Sequence, residues 1–292
     1  MTPFDAAPGS GAPRAAPNKE AAPNKPEMAK RIGSAVVLAA IAVAAVVASP
    51  WSFALLIAGG GVAVAWEWGR LVRGTRFDRI AVLQALAVAT VVILVTLARP
   101  ELALIALACA AVLIGLASAP SGTLGWSLAG LAYAALPAWA LTWLRSDETF
   151  GATALLYLFA VAWTTDTASY VAGTLIGGPK LAPSISPRKT WSGLIIGAMT
   201  PALVGYAFAL ALGGTSGLRL ALVSVAIAVA CQLGDLSESA VKRRFGAKDM
   251  SHLIPGHGGL LDRIDGVLIA SLAAALIALR DPAGPGRALL IW

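Results

Sequence analysis

Charge is scarce in this chain. Asp, Glu, Lys and Arg make up 13% of its 292 residues, while 58% are hydrophobic and mean hydropathy is +0.78. A soluble globular domain carries about 25% charged residues, so the composition excludes one and points to an integral membrane protein. Cysteine is nearly absent as well. Cys109 and Cys231 lie far apart inside apolar runs, which supports neither a disulfide framework nor a thiolate metal site and leaves them as small hydrophobes. The net charge of +7 and pI near 9.8 make the chain basic. Its cations flank apolar runs instead of forming a stripe on a polar fold, so nucleic acid is not an expected partner.

What is abundant is long apolar sequence. A hydrocarbon core takes about 20 apolar residues to cross as a helix, and from Arg31 onward nine segments read as crossings or near-crossings: 32–49, 51–69, 79–98, 101–118, 124–144, 152–176, 190–213, 216–236 and 264–281. The expected fold is therefore an all-α integral membrane protein of about nine transmembrane helices. Ser49 and Pro50 make a very short turn between the first two segments, which reads either as two crossings or as a tight hairpin that barely reaches the far side. Residues 1–30, rich in Ala and Pro, are expected to be a disordered cytoplasmic tail, followed by N-terminal transmembrane helices (31–150) and a C-terminal catalytic transmembrane region (151–292). Positively charged loops stay in the cytoplasm. With the N-terminus inside, most of the 22 Lys and Arg fall on the cytoplasmic side, leaving Arg99, Arg145, Arg219, Arg280 and Arg287 on the far side. Trp51, Trp66, Trp68, Trp126, Trp143 and Trp191 lie near crossing ends, where indole rings favour the headgroup level. Gly59–Gly61 in the second crossing allow close helix approach.

The polar residues are concentrated. Asp235, Asp249, Asp262 and Asp265, five cations, and both histidines of the chain fall between positions 235 and 265. Carboxylates at a hydrocarbon edge are costly and usually face a polar cavity with partners; the plainer reading, that Asp262 and Asp265 favour the N-terminal end of a helix dipole, does not account for two acids around Arg263 beside a Gly-Gly turn. Asp235, Ser239 and Lys242 fall at i, i+4 and i+7, on one helix face. Two carboxylates suit Mg²⁺, which is commonly held by one or two protein acids plus phosphate and water. Lys242, Arg243 and Lys248 are candidates for a triphosphate, and Arg244 reads as flanking charge. In the turn His257-Gly258-Gly259, glycines adopting positive φ would let backbone N–H groups approach a phosphate. Upstream, Asp166 lies within an apolar crossing, which marks a functional site by default. Ser186, Lys189 and Thr190 precede a helix start, where free N–H groups favour anions. Glu67, at the end of the second crossing, reads equally as an interface acid that snorkels.

The stretch from Ser239 to Asp265 resembles the signature of the phosphatidate cytidylyltransferases, or CDP-diacylglycerol synthases. Its defined positions are filled by Ser239, Lys242, Arg243, Lys248, Asp249, Ser251, Pro255, His257, Gly258, Gly259, Asp262, Arg263 and Asp265. Ser186-Pro-Arg-Lys-Thr190 is similar to the family's Ser-Pro-Lys-Lys-Thr element, with Arg188 where Lys is usual. The resemblance implies a multi-pass enzyme of the bacterial cytoplasmic membrane, with a polar active-site cavity facing the cytoplasm, that transfers CMP from CTP to phosphatidate, giving CDP-diacylglycerol and pyrophosphate. It also implies Asp235 and Asp262 as ligands of Mg²⁺, which a second cation can accompany, with Lys242, Arg243 and Asp265 catalytic. Nucleotide and lipid contacts would fall to Ser239, Lys248, His257, Gly258, Gly259, Arg263, Ser186, Lys189, Thr190 and Asp166. A homodimer is expected on the same ground. A secondary transporter would also carry intramembrane acids, but here they cluster at one membrane face and no inverted repeat accompanies them. A CTP-dependent lipid kinase is the nearer rival, distinguished by release of CDP.

Overall fold

The computed structural model describes residues 25–75, 77–254 and 258–292, with side chains from residue 33 onward. The chain is helical along nearly its whole described length. Helix α1 (Lys25–Ala48) begins inside the stretch expected to be tail, and α2 (Pro50–Arg73) follows after a single residue. That residue, Ser49, is extended and its Oγ accepts the N–H of Ser52 at 3.0 Å, while Pro50 occupies the first helical position, so the Ser-Pro pair caps and opens α2. Then come α3 (Arg79–Thr96), α4 (Pro100–Ser118), α5 (Leu124–Arg145) and α6 (Gly151–Leu175).

Beyond α6 the chain departs from a purely helical reading. Strands β1 (Lys180–Ala182) and β2 (Ser186–Thr190) form an antiparallel hairpin that pairs Lys180 with Thr190 and Ala182 with Ser186. The seventh apolar segment is also not one helix: α7 (Trp191–Met199) and α8 (Pro201–Leu212) meet at Thr200, because Pro201 has no N–H to continue the ladder. Finally α9 (Gly217–Arg244), α10 (Leu261–Ala278) and the short α11 (Pro285–Leu290) close the fold.

Six helical segments among the described residues are long and apolar enough to cross a membrane: Pro50–Arg73, Arg79–Thr96, Pro100–Ser121, Leu124–Arg145, Trp191–Leu212 and Gly217–Arg244. The other three expected crossings are helical too, but Gly33–Ala48 is a shorter apolar stretch, α6 carries the polar run around Asp166, and α10 opens with Asp262, Arg263 and Asp265. This is a multi-pass membrane protein whose polar residues sit in particular helices.

Contacts divide the helix ends into two groups. At one end Arg145 Nε donates to the Val46 carbonyl at 2.9 Å, Asp147 accepts the N–H of Arg287, and the N–H of Trp292 reaches Thr215. The other end joins Trp68 to the carbonyl of Trp126 at 2.8 Å and Arg243 to that of Ile185 at 3.2 Å. Trp68 at this end and Trp143 at the first are buried and do not belong to an interface belt, whereas Trp51 and Trp191 are exposed. Within the second end α9 and α10 touch backbone to backbone. A Cβ on Gly234 would lie 2.6 Å from the Asp265 carbonyl oxygen, and one on Gly266 would lie 2.5 Å from Cys231 Sγ. This close approach sets the acids of α10 against the polar face of α9.

Candidate active site

The start of α10 has no capping side chain of its own. Glu67 on α2 supplies the cap from 193 residues away: its Oε1 accepts the N–H of Leu260 at 2.8 Å and the Ser251 hydroxyl at 2.5 Å, and its Oε2 accepts the N–H of Leu261 at 2.7 Å. Glu67 is fully buried, which overturns its reading as a snorkelling interface acid. Orphan N–H groups at a helix start and a carboxylate's acceptors complement each other in charge and geometry, so Glu67 is a structural anchor for the signature loop.

Asp262, one residue into α10, is engaged at both oxygens. Oδ1 meets Lys242 Nζ at 2.7 Å, and Oδ2 accepts the N–H of Met250 at 2.9 Å and of Gly259 at 2.8 Å. Lys242 also pairs with Glu238 on its own helix at 2.6 Å, so one ammonium lies between two buried carboxylates. Gly258 has φ +84, in the left-handed region expected for the glycine turn. Gly259 does not have positive φ, and its N–H is spent on Asp262 instead of pointing to open space for an anion. A side chain at Gly259 would collide with Glu67 Oε1 at 2.6 Å. His257 lies outside the described residues.

A polar cleft of about 610 Å³ opens beside this knot. Its walls include Asp235, Lys242, Asp262, Arg263 and Asp265 from α9 and α10, Asp166 from α6, and Lys189 and Thr190 from the hairpin. Eight of the sequence-predicted residues thus meet at one place. Asp235 Oδ2 pairs with Lys189 Nζ at 2.7 Å, and its Oδ1 accepts the Ser239 hydroxyl at 3.4 Å. Asp166 reaches towards Cys231 Sγ at 4.0 Å, and Asp265 Oδ1 accepts the N–H of Gly266. Thr190 is the N-cap of α7, its Oγ1 accepting the N–H of Gly193 at 3.2 Å.

The remaining candidates stand back from the cleft wall. Arg243 points at the hairpin, donating to the Ile185 carbonyl and, by Nη1, to that of Ala247; Ser186, Ser239, Lys248, Gly258 and Gly259 are not among the lining residues. Sequence reasoning missed Glu238, although it sits four residues before Lys242 and three after Asp235, and so on their face of α9. Lys180 and Arg188 add positive charge to the cleft; alternation along the two strands, had the hairpin been foreseen, would have grouped them with Thr190.

The sequence profile of the Cytidylyltransferase family matches residues 29–279. The chain belongs to that family. It is 41% identical over 243 residues to the phosphatidate cytidylyltransferases of Brucella suis biovar 1 and Brucella melitensis biotype 1, covering 82% of this chain and 89% of each relative. Against the phosphatidate cytidylyltransferase of Rickettsia conorii it is 36% identical over 163 residues, covering 51% of this chain and 68% of that one. The family that the signature implied is therefore the one found. The cleft brings Asp166, Asp235, Asp249, Asp262 and Asp265 together with Lys180, Arg188, Lys189, Lys242 and Arg263.

Proposed function

We propose that this protein transfers the cytidylyl group of CTP to phosphatidate, yielding CDP-diacylglycerol and pyrophosphate in phospholipid synthesis. The observation that carries it is the family match over residues 29–279, together with the convergence of Asp166, Asp235, Asp262, Asp265 and five cations on one cleft. A phosphate oxygen of phosphatidate attacks the α-phosphorus of CTP, the bond from that phosphorus to the bridging oxygen breaks, and pyrophosphate leaves. The nucleophile is already ionised at neutral pH, so the protein's work is to align two anions and offset their charge. Lys180, Arg188 and Lys189 on the hairpin are suited to the triphosphate, and Lys242 and Arg263 to the reacting phosphates.

Mg²⁺ fits the residues present. Mg²⁺ commonly takes one or two protein carboxylates and draws its other ligands from phosphate and water, and Asp235 and Asp262 both line the cleft. Asp235 lines the cleft, with its Oδ1 meeting a hydroxyl at 3.4 Å, and would hold the ion; Asp262 would join it only after Lys242 moves from Asp262 towards substrate, where Glu238 still balances the ammonium. When bound, Mg²⁺ would neutralise charge on the phosphate oxygens. The same reading carries a cytoplasm-facing cleft in the bacterial inner membrane, and a homodimer, to be read by native mass spectrometry.

The test is purified protein with CTP, phosphatidate and Mg²⁺, with and without EDTA. CDP-diacylglycerol and pyrophosphate are the expected products, lost on chelation. Release of CDP would instead make this a lipid kinase. Asp235→Asn should lower kcat by at least about a hundredfold with membrane abundance unchanged; wild-type turnover would remove Asp235 from the reaction.

A further inference from the structure

Beside the polar cleft lies a second cavity of about 600 Å³ with an apolar wall, formed by α1, α2, α5, α6 and α10. That size falls within the roughly 300–1,000 Å³ of sites that take small ligands. Arg263 lines both cavities. The floor includes Gly59 and Gly60 of α2, two members of the Gly59–Gly61 run that reads in sequence as a helix-packing motif. Only Gly61 serves packing: a Cβ there would meet Val88 Cγ1 at 2.4 Å, whereas one on Gly59 would meet nothing within 4 Å and one on Gly60 only Leu260 at 4.0 Å. Two glycines without a packing partner widen the cavity.

We infer that this groove holds the acyl chains of the phosphatidate, and that Gly59 and Gly60 set the room available near its glycerol end. The inference rests on the reading of phosphatidate as substrate. A lipid whose phosphate lies at Arg263 places its head in the polar cleft and its tails in the groove, because that residue is common to both. The groove gains little affinity from apolarity, since the bilayer around it is equally apolar. Its selectivity is steric.

The experiment compares kcat/KM for dioleoyl and dihexanoyl phosphatidate in the wild type, Gly59→Leu and Gly60→Leu, all in detergent with saturating CTP and Mg²⁺. A leucine in the groove displaces a long chain and with it the phosphate, and misplacement by about 1 Å costs on the order of a hundredfold. The ratio of dioleoyl to dihexanoyl kcat/KM should therefore fall by about tenfold or more in at least one variant. Phosphatidate with a photoreactive acyl chain should crosslink to Leu38, Ala42 or Phe159, which line the groove. An unchanged ratio in both variants, or crosslinks confined to the outer lipid-facing surface at residues such as Leu116 and Leu203, overturns the groove assignment while the enzymatic reading stands. If the wild type makes no CDP-diacylglycerol from either lipid, the enzymatic reading itself falls.

Discussion

Glu67 and Lys242 show how a few ionised side chains organise a mostly apolar molecule. Glu67 accepts three bonds from the loop and helix that carry Asp262, with no exposure to solvent. Glu67→Gln keeps the shape but replaces one acceptor oxygen by an NH₂ that faces donors. Hydrogen bonds to a charged group contribute about 1.5–3 kcal/mol each, and an unpartnered buried donor costs a further about 1–3 kcal/mol. The variant should therefore lower Tm in detergent by several degrees and reduce activity even in protein that remains folded. An unchanged Tm would mean that the cap is dispensable. Much of this residue-scale picture was legible: Asp235, Lys242, Asp262, Asp265 and Asp166 stand out because charge is rare in such a chain. The role of Glu67 was not, because its partners lie 184 to 194 residues away and local periodicity carries no trace of them. The contact of Arg243 with the Ile185 carbonyl was not legible either, since its direction depends on a hairpin that hydropathy does not reveal.

At the scale of elements, the connection between α2 and α3 is held by one acid with two duties. Asp78 is the N-cap of α3, accepting the N–H of Ala81 at 2.7 Å, and it also binds the Arg73 guanidinium at 2.6 and 3.1 Å. Partial burial pushes its carboxyl up, but the bonds from Arg73 and Ala81 outweigh this, and it titrates below the ordinary aspartate range. A depressed carboxyl contributes stability that is fully present above its unfolded pKa of about 3.9 and is lost as pH falls through the lower folded value. Asp78→Asn should therefore be less stable than the wild type at pH 7, and the two melting curves should converge as pH drops below about 4. A gap that persists at acid pH would assign the effect to shape. The extents of the helices were largely legible from hydropathy, and Ser49-Pro50 was correctly placed as a turn. The break at Thr200–Pro201 was signalled by the proline but overridden in the reading by the length of the apolar run. The β1–β2 hairpin had no apolar alternation to announce it.

At the scale of the whole molecule, the two groups of helix ends decide what the enzyme can reach. CTP and pyrophosphate are cytoplasmic solutes, so on the proposed reading the end that carries the cleft and the hairpin is expected to face the cytoplasm, and the end that joins Arg145, Asp147, Thr215 and Trp292 to face away. Lys and Arg counting gives the same orientation independently, since the cleft end also holds the denser cations. A reporter fused after Lys248 should therefore be cytoplasmic and one fused after Trp292 periplasmic, read by a pair of enzymes active on opposite sides of the membrane. A cytoplasmic C-terminus would require one of the less apolar helices, α1, α6 or α10, to dip into the bilayer without crossing. The contact of Arg145 with Val46 argues against that for α1, because the end of α1 then lies beside the end of α5, and α5 is long and apolar enough to cross. For α10 the same argument runs through Arg280, stacked on the Trp292 ring at 3.8 Å, while Asp262 at its start pairs with Lys242 at the opposite end of the bundle. With 18 residues at about 1.5 Å rise, α10 covers roughly 27 Å, close to the hydrocarbon thickness. Anchored at both ends in this way, α10 is expected to span, and the reporter after Trp292 tests whether the C-terminus follows it to the far side.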